Sequence, residues 1–448
     1  MTLPELDLFG PPVRVPELRD VTLTPRVRLV VDHPDFQRLR RVRQLGPTHL
    51  VYPGATHTRF EHSLGAYGCA QMFLRSLLRR PAFVDSVQEI DLLTCLLSAL
   101  LHDVGHYPYA HSLEAVHLPG QDTPRHEDLA ATVIRRGIGD VLQSDLGLDP
   151  ERVIRLIQVK HSQQDTPVDA ILASVISSAI DCDKMDYLER DSTHLGVPYG
   201  RSFDRSRLIA ALTLNEAENG IAVEAGGKIP AEMFVFSRYM MFSEAYWHHT
   251  VRAASAMMEV AMRDFVGTPG VAAHLETTLL SQSDDQLLET IASTCPVDSP
   301  GQVLARGVLN RRLYKRVATF SRAYVEPEKQ EAYSRLYAMD TDNLAATTER
   351  IASALSQLLG QSVAPADVLI DTPPRDKDHP ETLDVRYDGV RGQSSYPLHE
   401  LSRIVAGVHS DFVAVVKKIR VFVAPELALR VRQHQHPAEK AILGAISP

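Results

Sequence analysis

Histidine is concentrated in one stretch of this 448-residue chain. Nine of the 19 histidines lie between His33 and His126, more than an even distribution would place there. Near neutral pH an imidazole can bind a metal ion, transfer a proton or contact a phosphate. The clustering therefore predicts that this stretch carries the chemistry of the protein.

Two histidines and two aspartates form a candidate metal site. His102 and Asp103 are adjacent at the end of an apolar segment, where the chain can turn both side chains toward one cavity. His62 and Asp183 lie on two further predicted helices and can complete the set. Two imidazoles and two carboxylates suit a divalent ion such as Mn, Fe, Zn, Ni or Mg, with positions left for water and a phosphate oxygen. A lone His-Asp pair is common, so the prediction depends on three segments converging.

The helix that carries Asp183 presents further polar groups. At about 3.6 residues per turn, Asp183, Lys184, Tyr187 and Asp191 fall on roughly a third of the helix circumference. This face offers two carboxylates, an ammonium and a phenol. A solvated face would also mix charges, but here an apolar run leads into it, which favours a functional face.

A second polar group follows the His-Asp pair. His106 and His111 are close to that pair in sequence, and His126 follows shortly after. Glu114 is three residues beyond His111, which suits a carboxylate that orients an imidazole on a short helix. An imidazole held between a carboxylate and a bound phosphoester could donate a proton to a leaving oxygen. Alternatively, these histidines cap the helix or bind metal more loosely.

The periodicity of apolar residues predicts a mostly α protein. A helical core containing a small hairpin over 212–229 is expected to precede a mixed α/β C-terminal part, with the division near residue 270. The expected domains are thus a catalytic core over 1–270 and a C-terminal region over 271–448. The main predicted helices cover 34–45, 58–80, 91–102, 126–137, 150–160, 168–193 and 231–266, and the C-terminal strands cover 368–370, 383–387 and 419–423.

Composition argues against several classes of protein. Hydrophobic residues make up 44% and charged residues 23% of the chain, as in ordinary globular proteins. The net charge of −9 argues against nucleic acid as a partner, although a basic patch over 38–43 leaves weak single-strand binding open. No apolar run reaches the roughly 20 residues that span a bilayer. Four cysteines without a Cys-x-x-Cys motif indicate no disulfide frame, so a soluble, cytoplasmic protein without a membrane partner is expected.

The order of these motifs resembles the HD-domain phosphohydrolases. The strings YPGATHTRFEHSLG at 52–65, HDVGH at 102–106 and DKMDY at 183–187 are similar to those of the deoxynucleoside triphosphate (dNTP) triphosphohydrolase branch. The resemblance is close over 16–266 and looser beyond. It implies a helical HD-domain core and the metal-dependent conversion of a dNTP to a deoxynucleoside and inorganic triphosphate, with water attacking the α-phosphorus.

The resemblance also implies a role for each matching residue. The metal would be held by His62, His102, Asp103 and Asp183. The catalytic group would be His106, His111, Glu114 and His126, with His111 as proton donor to the 5′-oxygen. The substrate would contact Gln44 and Asp191 at the 3′-hydroxyl, Arg59, Lys184 and Tyr187 at the triphosphate, Leu45 and Tyr246 at base and sugar, and Arg238 at triphosphate or base.

Assembly and regulation are implied by the same resemblance. A homo-oligomer, dimer or tetramer, is expected, and Asp32, Gln37 and Arg40 match positions that recognise an activating nucleotide. An exposed basic helix face formed by Arg38, Arg40 and Arg41 explains these residues equally well. Two other functions stay open, namely an HD-type phosphohydrolase for a different nucleotide and a nucleotide-sensing module.

Overall fold

Helices dominate the structure. The computed structural model describes residues 3–7, 12–114, 117–118, 121–373, 382–387 and 395–447. Its many helices and few short strands confirm the mostly α fold class. Within these residues, no helix combines the length and the apolar character needed to cross a membrane.

The elements of the N-terminal region surround the predicted site residues. Its helices are α1 (Pro25–Val31), α2 (Pro34–Gln37), α3 (Arg59–Leu77), α4 (Pro81–Ser86), α5 (Glu89–Leu101), α6 (Ala110–Leu113), α7 (His126–Val133), α8 (Gly139–Ser144), α9 (Pro150–Gln158), α10 (Pro167–Ile176), α11 (Cys182–Leu195), α12 (Arg205–Ala210), α13 (Lys228–Met241) and α14 (His249–Gly267). Its strands are β1 (Pro12–Val15), β2 (Arg19–Thr22), β3 (His117–Leu118), β4 (Gln121–Asp122), β5 (Leu212–Leu214) and β6 (Ile221–Glu224).

The C-terminal region adds helices and two groups of strands. Its helices are α15 (Leu275–Ser281), α16 (Asp284–Thr294), α17 (Pro300–Leu309), α18 (Pro327–Ala338), α19 (Thr341–Leu359), α20 (Leu398–Leu401), α21 (Arg403–Asp411), α22 (Pro425–Gln433) and α23 (Gln435–Ile446). Its strands are β7 (Lys315–Phe320), β8 (Val368–Asp371), β9 (Asp384–Arg386), β10 (Ser395–Pro397) and β11 (Ile419–Val423).

Helix α5 forms the centre of the N-terminal region. Every residue from Asp91 to Leu101 is buried, and the helix packs against α3, α9 and α10. The helix begins before residue 91, where it was predicted to start, because Gln88 is the N-cap and Asp91 accepts a hydrogen bond from the Gln88 amide at 2.7 Å. It ends at Leu101, so His102 and Asp103 leave the helix inside the core.

Sheet pairing connects the two halves of the chain. The predicted hairpin is present as antiparallel β5 and β6, with Leu212 opposite Val223. Strand β9 then pairs in parallel with β6, and β10 completes a four-stranded sheet. A separate sheet places β11 between β7 and β8. Because one sheet and one continuous apolar core include residues from both sides of position 270, the two-domain division stays a prediction.

Residues 34–45 do not form the single helix that was predicted. Helix α2 is followed by a 3₁₀ turn over Arg38–Arg41, and Val42 is extended. The reason is tertiary, because the Arg59 amide donates to the Val42 carbonyl at 2.9 Å and ties this segment to the start of α3. The extended segment then carries Gln44 into the site.

Two longer predicted helices are also interrupted. The helix predicted over 168–193 is two helices, because Asp181 is a non-helical N-cap that accepts from the Lys184 amide at 2.6 Å. The helix predicted over 231–266 passes through a π turn at Phe242–Tyr246 and then breaks before α14. Both interruptions lie beside predicted site residues.

Candidate functional site

Three helices bring the four candidate metal ligands together. His62 lies on α3, His102 and Asp103 follow α5, and Asp183 lies in the first turn of α11. His62 Nε2 lies 3.3 Å from His102 Nε2 and 3.1 Å from Asp183 Oδ1. Asp103 Oδ1 lies 3.4 Å from His102 Nε2, and Asp103 Oδ2 lies 3.6 Å from His62 Nε2. The four side chains therefore converge on one point.

The electrostatics of this group favour a cation. Burial opposes protonation of His62, but the carboxylates of Asp183, Asp186 and Asp103 outweigh it and raise its pKa to about 10. Burial would raise the pKa of Asp183, yet His102 and His62 hold it well below its usual range. The donor set is thus a buried, negatively charged pocket with two nitrogens and two oxygens, which fits a divalent metal ion.

Hydrogen bonds behind the two imidazoles orient them. His62 Nδ1 lies 2.8 Å from Asp186 Oδ2, and His102 Nδ1 lies 2.9 Å from the Ala99 carbonyl. Because both partners are acceptors, each Nδ1 carries a proton, and each Nε2 can offer a lone pair to a metal ion in place of a second proton. Sequence reasoning assigned no role to Asp186, although it lies in the same helical string as Asp183.

Close packing holds Asp186 in place. Arg190 donates two hydrogen bonds to its carboxylate at 2.6 and 2.8 Å and a third to Glu61 at 2.7 Å. A Cβ at Gly65 would lie 1.9 Å from Asp186 Oδ1, so only glycine allows α3 to approach α11 this closely. The helix that carries His62 is thereby locked to the helix that carries Asp183.

The second histidine group lies beside the first. His106 Nε2 is 3.4 Å from His111 Nε2, and the ring centroids of His106 and His126 are 3.8 Å apart. Glu114 Oε1 lies 2.5 Å from His126 Nδ1, and its Oε2 lies 3.7 Å from His111 Nδ1. Glu114 therefore contacts the His126 imidazole more closely than that of His111, its predicted partner. His106 Nδ1 faces Asp103 Oδ1 at 3.0 Å, so the two groups share that carboxylate.

Asp191, the candidate contact of the 3′-hydroxyl, has two hydrogen-bond partners. Tyr246 donates to Asp191 Oδ2 at 2.6 Å, and His57 Nε2 lies 2.7 Å from Asp191 Oδ1. His57 is buried and stacks on His194 with ring centroids 4.2 Å apart. Sequence reasoning left His57 without a role, although it lies in the same string as His62.

The candidate triphosphate contacts line the metal group. Arg59 donates to Asp103 Oδ2 at 2.6 Å and to the Gln44 carbonyl at 3.2 Å, so it connects the metal ligands to the segment that carries Leu45. Lys184 Nζ lies 2.6 Å from Asp181 Oδ2, a partner that the sequence did not suggest.

Aromatic contacts connect the remaining candidates. Tyr187 and Tyr246 have ring centroids 6.4 Å apart, and Phe242 lies 5.2 Å from Tyr246. The Arg238 guanidinium lies 5.7 Å from the Phe242 ring, and within the described residues its buried Nε has no hydrogen-bond partner. Arg238, Phe242 and Tyr246 therefore adjoin, although Phe242 and Tyr246 are the first and last residues of a π turn.

Comparisons with known proteins agree with this geometry. An HD domain matches residues 59–191, and an HD associated region matches residues 203–438. The chain belongs to the HD-domain phosphohydrolase family. The predicted metal ligands all lie in the matched HD domain.

Relatives of this HD-domain protein occur in bacteria, archaea and vertebrates. YwfO of Bacillus subtilis is 37% identical over 226 residues, covering 50% of this chain and 48% of that protein. MJ1154 of Methanocaldococcus jannaschii is 31% identical, covering 68% and 58%. Deoxynucleoside triphosphate triphosphohydrolase SAMHD1 of Homo sapiens is 26% identical, covering 70% and 56%. The chain thus spans about half the length of these relatives.

Solved structures share the whole fold. A phosphohydrolase from Bacteroides thetaiotaomicron superposes with a TM-score of 0.69 at 22% identity, covering 92% of this chain and 99% of that one. A protein from Aquifex aeolicus has the same TM-score at 25% identity, covering 94% and 99%. The HD core and the associated region therefore recur together as one architecture.

Arg38, from the alternative basic face, and Arg43, from the basic patch over 38–43, both have hydrogen-bond partners elsewhere in the chain. Arg38 is buried and donates to the carbonyls of Val104 and, at 2.6 Å, His106. Arg43 donates to both carboxylate oxygens of Asp285 at 3.0 and 2.9 Å. The expected exposed face is wrong for Arg38, which instead holds the loop of the second histidine group, and the basic patch over 38–43 is correspondingly smaller.

The candidate regulatory residues remain near the surface of the HD domain. Arg40 donates to Gln37 Oε1 at 2.7 Å and lies 3.6 Å from the Phe60 ring centroid. Gln37 in turn donates to the Val31 carbonyl at 2.8 Å, and Asp32 is exposed. Gln37 and Arg40 contact each other, and Asp32 lies next to Val31, whose carbonyl accepts from Gln37. The role of the three residues in nucleotide binding stays a prediction.

Proposed function

We propose that this protein is a metal-dependent dNTP triphosphohydrolase, which converts a dNTP to a deoxynucleoside and inorganic triphosphate. The observation that carries the proposal is the shared carboxylate of Asp103. It lies 3.4 Å from His102 Nε2 in the metal group and 3.0 Å from His106 Nδ1 in the second group. A group able to bind a cation and a group able to transfer a proton therefore meet at one point.

The metal group suits water activation. A divalent ion bound by the two histidines and two aspartates supplies a Lewis acid and lowers the pKa of a bound water. Its identity among Mn, Fe, Mg, Zn and Ni is open. Arg59 lies against Asp103, which places its guanidinium where a phosphate oxygen can accept from it.

The second group suits protonation of the leaving 5′-oxygen. The side chain of His111 is 54% exposed, so its Nε2 is accessible to a substrate. Burial would raise the pKa of Glu114, but His111 and His126 lower it strongly, so this carboxylate is ionised. In this proposal Glu114 stabilises the imidazolium before His111 donates its proton, and His126 and His106 hold the group in place.

The rest of the site suits a deoxynucleotide. The Asp191 carboxylate and Gln44 are proposed to bind the 3′-hydroxyl. Tyr246 is proposed to fill the space that the 2′-hydroxyl of a ribonucleotide would need. The remaining candidates are proposed to hold the triphosphate and base, namely Leu45, Lys184, Tyr187 and Arg238. Arg238 supports this because the described residues supply no hydrogen-bond partner for its buried Nε.

Two further parts of the proposal concern assembly and regulation. We expect a homo-oligomer, dimer or tetramer, and an activating nucleotide at Asp32, Gln37 and Arg40. Size-exclusion chromatography with and without GTP measures the oligomeric state. The activity of Arg40→Ala with and without GTP measures nucleotide activation.

A product assay tests the reaction. The purified protein is incubated with each of the four dNTPs and Mn²⁺, with and without GTP, and the products are separated by anion exchange. We expect deoxynucleoside and inorganic triphosphate, with the exposed His274→Ala variant behaving as wild type. Release of monophosphate and pyrophosphate would overturn the proposed reaction. Turnover of another class of nucleotide would indicate an HD-type phosphohydrolase for a different nucleotide. Binding without turnover would indicate a nucleotide sensor.

A further inference from the structure

The second histidine group has the construction of a metal site. A carboxylate lies near Nδ1 of each of its three imidazoles: His126 Nδ1 hydrogen-bonds to Glu114 at 2.5 Å, while His106 Nδ1 lies 3.0 Å from Asp103 and His111 Nδ1 lies 3.7 Å from Glu114 without forming a hydrogen bond. Histidines that bind metals usually present the other ring nitrogen to such an acceptor, which fixes the tautomer and the ring orientation. One ring nitrogen from each of the three lies within 4.8 Å of the others.

The distances between nitrogens fit one ion. His106 Nε2 and His111 Nε2 are 3.4 Å apart, and the predicted ligands His62 and His102 have the corresponding distance of 3.3 Å. Two nitrogens bound about 2.0–2.1 Å from a tetrahedral Zn²⁺ lie about 3.4 Å from each other. The second group therefore has the nitrogen spacing of a tetrahedral site.

The protonation of the rings points the same way. His126 Nδ1 hydrogen-bonds to Glu114, and because a carboxylate only accepts, this Nδ1 carries the ring hydrogen and the His126 Nε2 is left to bind. His106 Nε2 and His111 Nε2 lie at hydrogen-bonding distance from each other, and this contact needs a proton or a metal ion between the two nitrogens. A single proton can satisfy two such nitrogens, whereas a metal ion can satisfy all three rings.

We propose that His106, His111 and His126 bind a second metal ion of the Zn²⁺ class, separate from the ion of the His62 group. Neutral imidazoles without a carboxylate among them favour Zn²⁺, Ni²⁺ or Cu²⁺ over Mg²⁺ and Mn²⁺. The exposed His111 side chain leaves a path for the ion and a fourth position for water. On the proposed function, this ion occupies the nitrogen that donates the proton, so excess Zn²⁺ inhibits turnover and a chelator restores it.

Calorimetry tests the site without reference to activity. The Mn²⁺-loaded holoenzyme is titrated with Zn²⁺, and wild type and His274→Ala are expected to bind one more equivalent than His126→Gln. Removal of the carboxylate in Glu114→Gln should weaken this equivalent about 10–100-fold, the usual effect of losing a group that orients a ligand. Circular dichroism and thermal unfolding check that each variant is folded, and Glu114→Gln keeps the test available if His126→Gln does not fold.

Cobalt separates the two groups. Co²⁺ added to the Mn²⁺-loaded protein should give the intense visible bands of tetrahedral coordination in wild type and in His62→Ala, but not in His126→Gln. Equal Zn²⁺ binding by wild type and His126→Gln, or loss of the bands in His62→Ala as well, overturns the second site. A protein that binds Zn²⁺ through His126 but hydrolyses no dNTP retains the site and refutes only the proposed function.

Discussion

The two histidine groups of this HD domain have nearly equal nitrogen spacings and different surroundings. His62 and His102 present their Nε2 atoms 3.3 Å apart among carboxylates on the same side, while His106 and His111 present theirs 3.4 Å apart with carboxylates behind the rings. The first group can neutralise a divalent ion, whereas the second can bind one only as a complex that stays positively charged. The two groups therefore have equal nitrogen spacing and unequal charge, which distinguishes the proposed metal site from the group proposed to transfer a proton.

Access to solvent differs in the same direction. In the first group the exposed fraction of the side chains runs from 1% for His62 to 30% for Asp183, and in the second group from 1% for His106 to 54% for His111. Arg190 and Asp186 lock the first group between two long helices, whereas the second group lies on the loop before α6, on the short helix α6 and at the start of α7. The buried group suits permanent occupancy, and the open group suits exchange with substrate or solvent ions.

The largest effect is expected from Asp103, which both groups share. Asp103→Ala removes a proposed metal ligand, which is also the neighbour of His106 and the partner of Arg59, so we expect turnover to fall by at least about 10³-fold with loss of bound metal. Mass spectrometry of bound metal together with dNTP turnover measures this. If Asp103→Ala retains its metal and its turnover is unchanged, the two groups do not meet functionally at this residue. If the wild-type protein itself shows no turnover and the variant still binds nucleotide, the protein is a nucleotide sensor.

His111→Ala tests the second group alone. Loss of a general acid usually costs about 10²–10⁴-fold in kcat, and we expect that loss with the metal content of the His62 group intact. Steady-state kinetics and metal analysis on the same preparation measure both quantities. If the first metal is lost as well, His111 belongs to its ligands and the separation of the groups is wrong.

Asp186→Asn tests the orientation of the first group. The asparagine amide is uncharged and accepts a weaker hydrogen bond from His62 Nδ1 than the aspartate carboxylate does. Loss of such a partner typically weakens metal binding about 10–100-fold. We expect activity to recover at high Mn²⁺, which an effect on the second group would not allow. Thermal unfolding is measured alongside, because Arg190 also loses a charged partner.

The pH dependence of the metal-free protein sharpens the charge difference. The pKa of His62 is raised from its ordinary value near 6.5 to about 10, so its contribution to stability is complete below pH 6.5 and is lost as pH rises through 10. We expect Tm of the EDTA-treated protein to fall across that window more than Tm of the Mn²⁺-loaded protein, in which the ion replaces the proton. Equal slopes would show that His62 does not exchange a proton for a metal.

The smallest effect is expected outside both groups. Tyr246→Phe removes one hydrogen bond to Asp191, worth about 1 kcal/mol, which corresponds to about a fivefold rise in KM for dNTP. The matched variant Tyr239→Phe, on the preceding helix, should leave KM unchanged. A large fall in kcat for Tyr246→Phe would instead place this residue with the catalytic groups.

Much of the site was accessible from local sequence. The adjacency of His102 and Asp103 at the end of an apolar helix placed both side chains in the core, and α5 ends at Leu101 as that pattern requires. Asn219-Gly220 and Gly226-Gly227 flank a short alternating stretch, and this pattern predicted the β5–β6 hairpin. These features depend on spacing along the chain, which sequence shows directly.

Other features depended on partners far along the chain. The helix predicted over 34–45 breaks because Val42 pairs with Arg59, and Arg38 turns inward because the carbonyls of Val104 and His106 accept from it. Periodicity cannot reveal such partners, since an arginine on a helical pattern is ordinarily exposed.

Sequence by itself determined which residues could do chemistry and the order in which they occur. It supplied the two histidines and two aspartates of the first group and the histidines and glutamate of the second. Only the tertiary structure decided how they are divided, because it placed Glu114 against His126, twelve residues away, and Asp103 between both groups. Imidazole orientation is set by the acceptor behind each ring, and that acceptor comes from folding rather than from spacing.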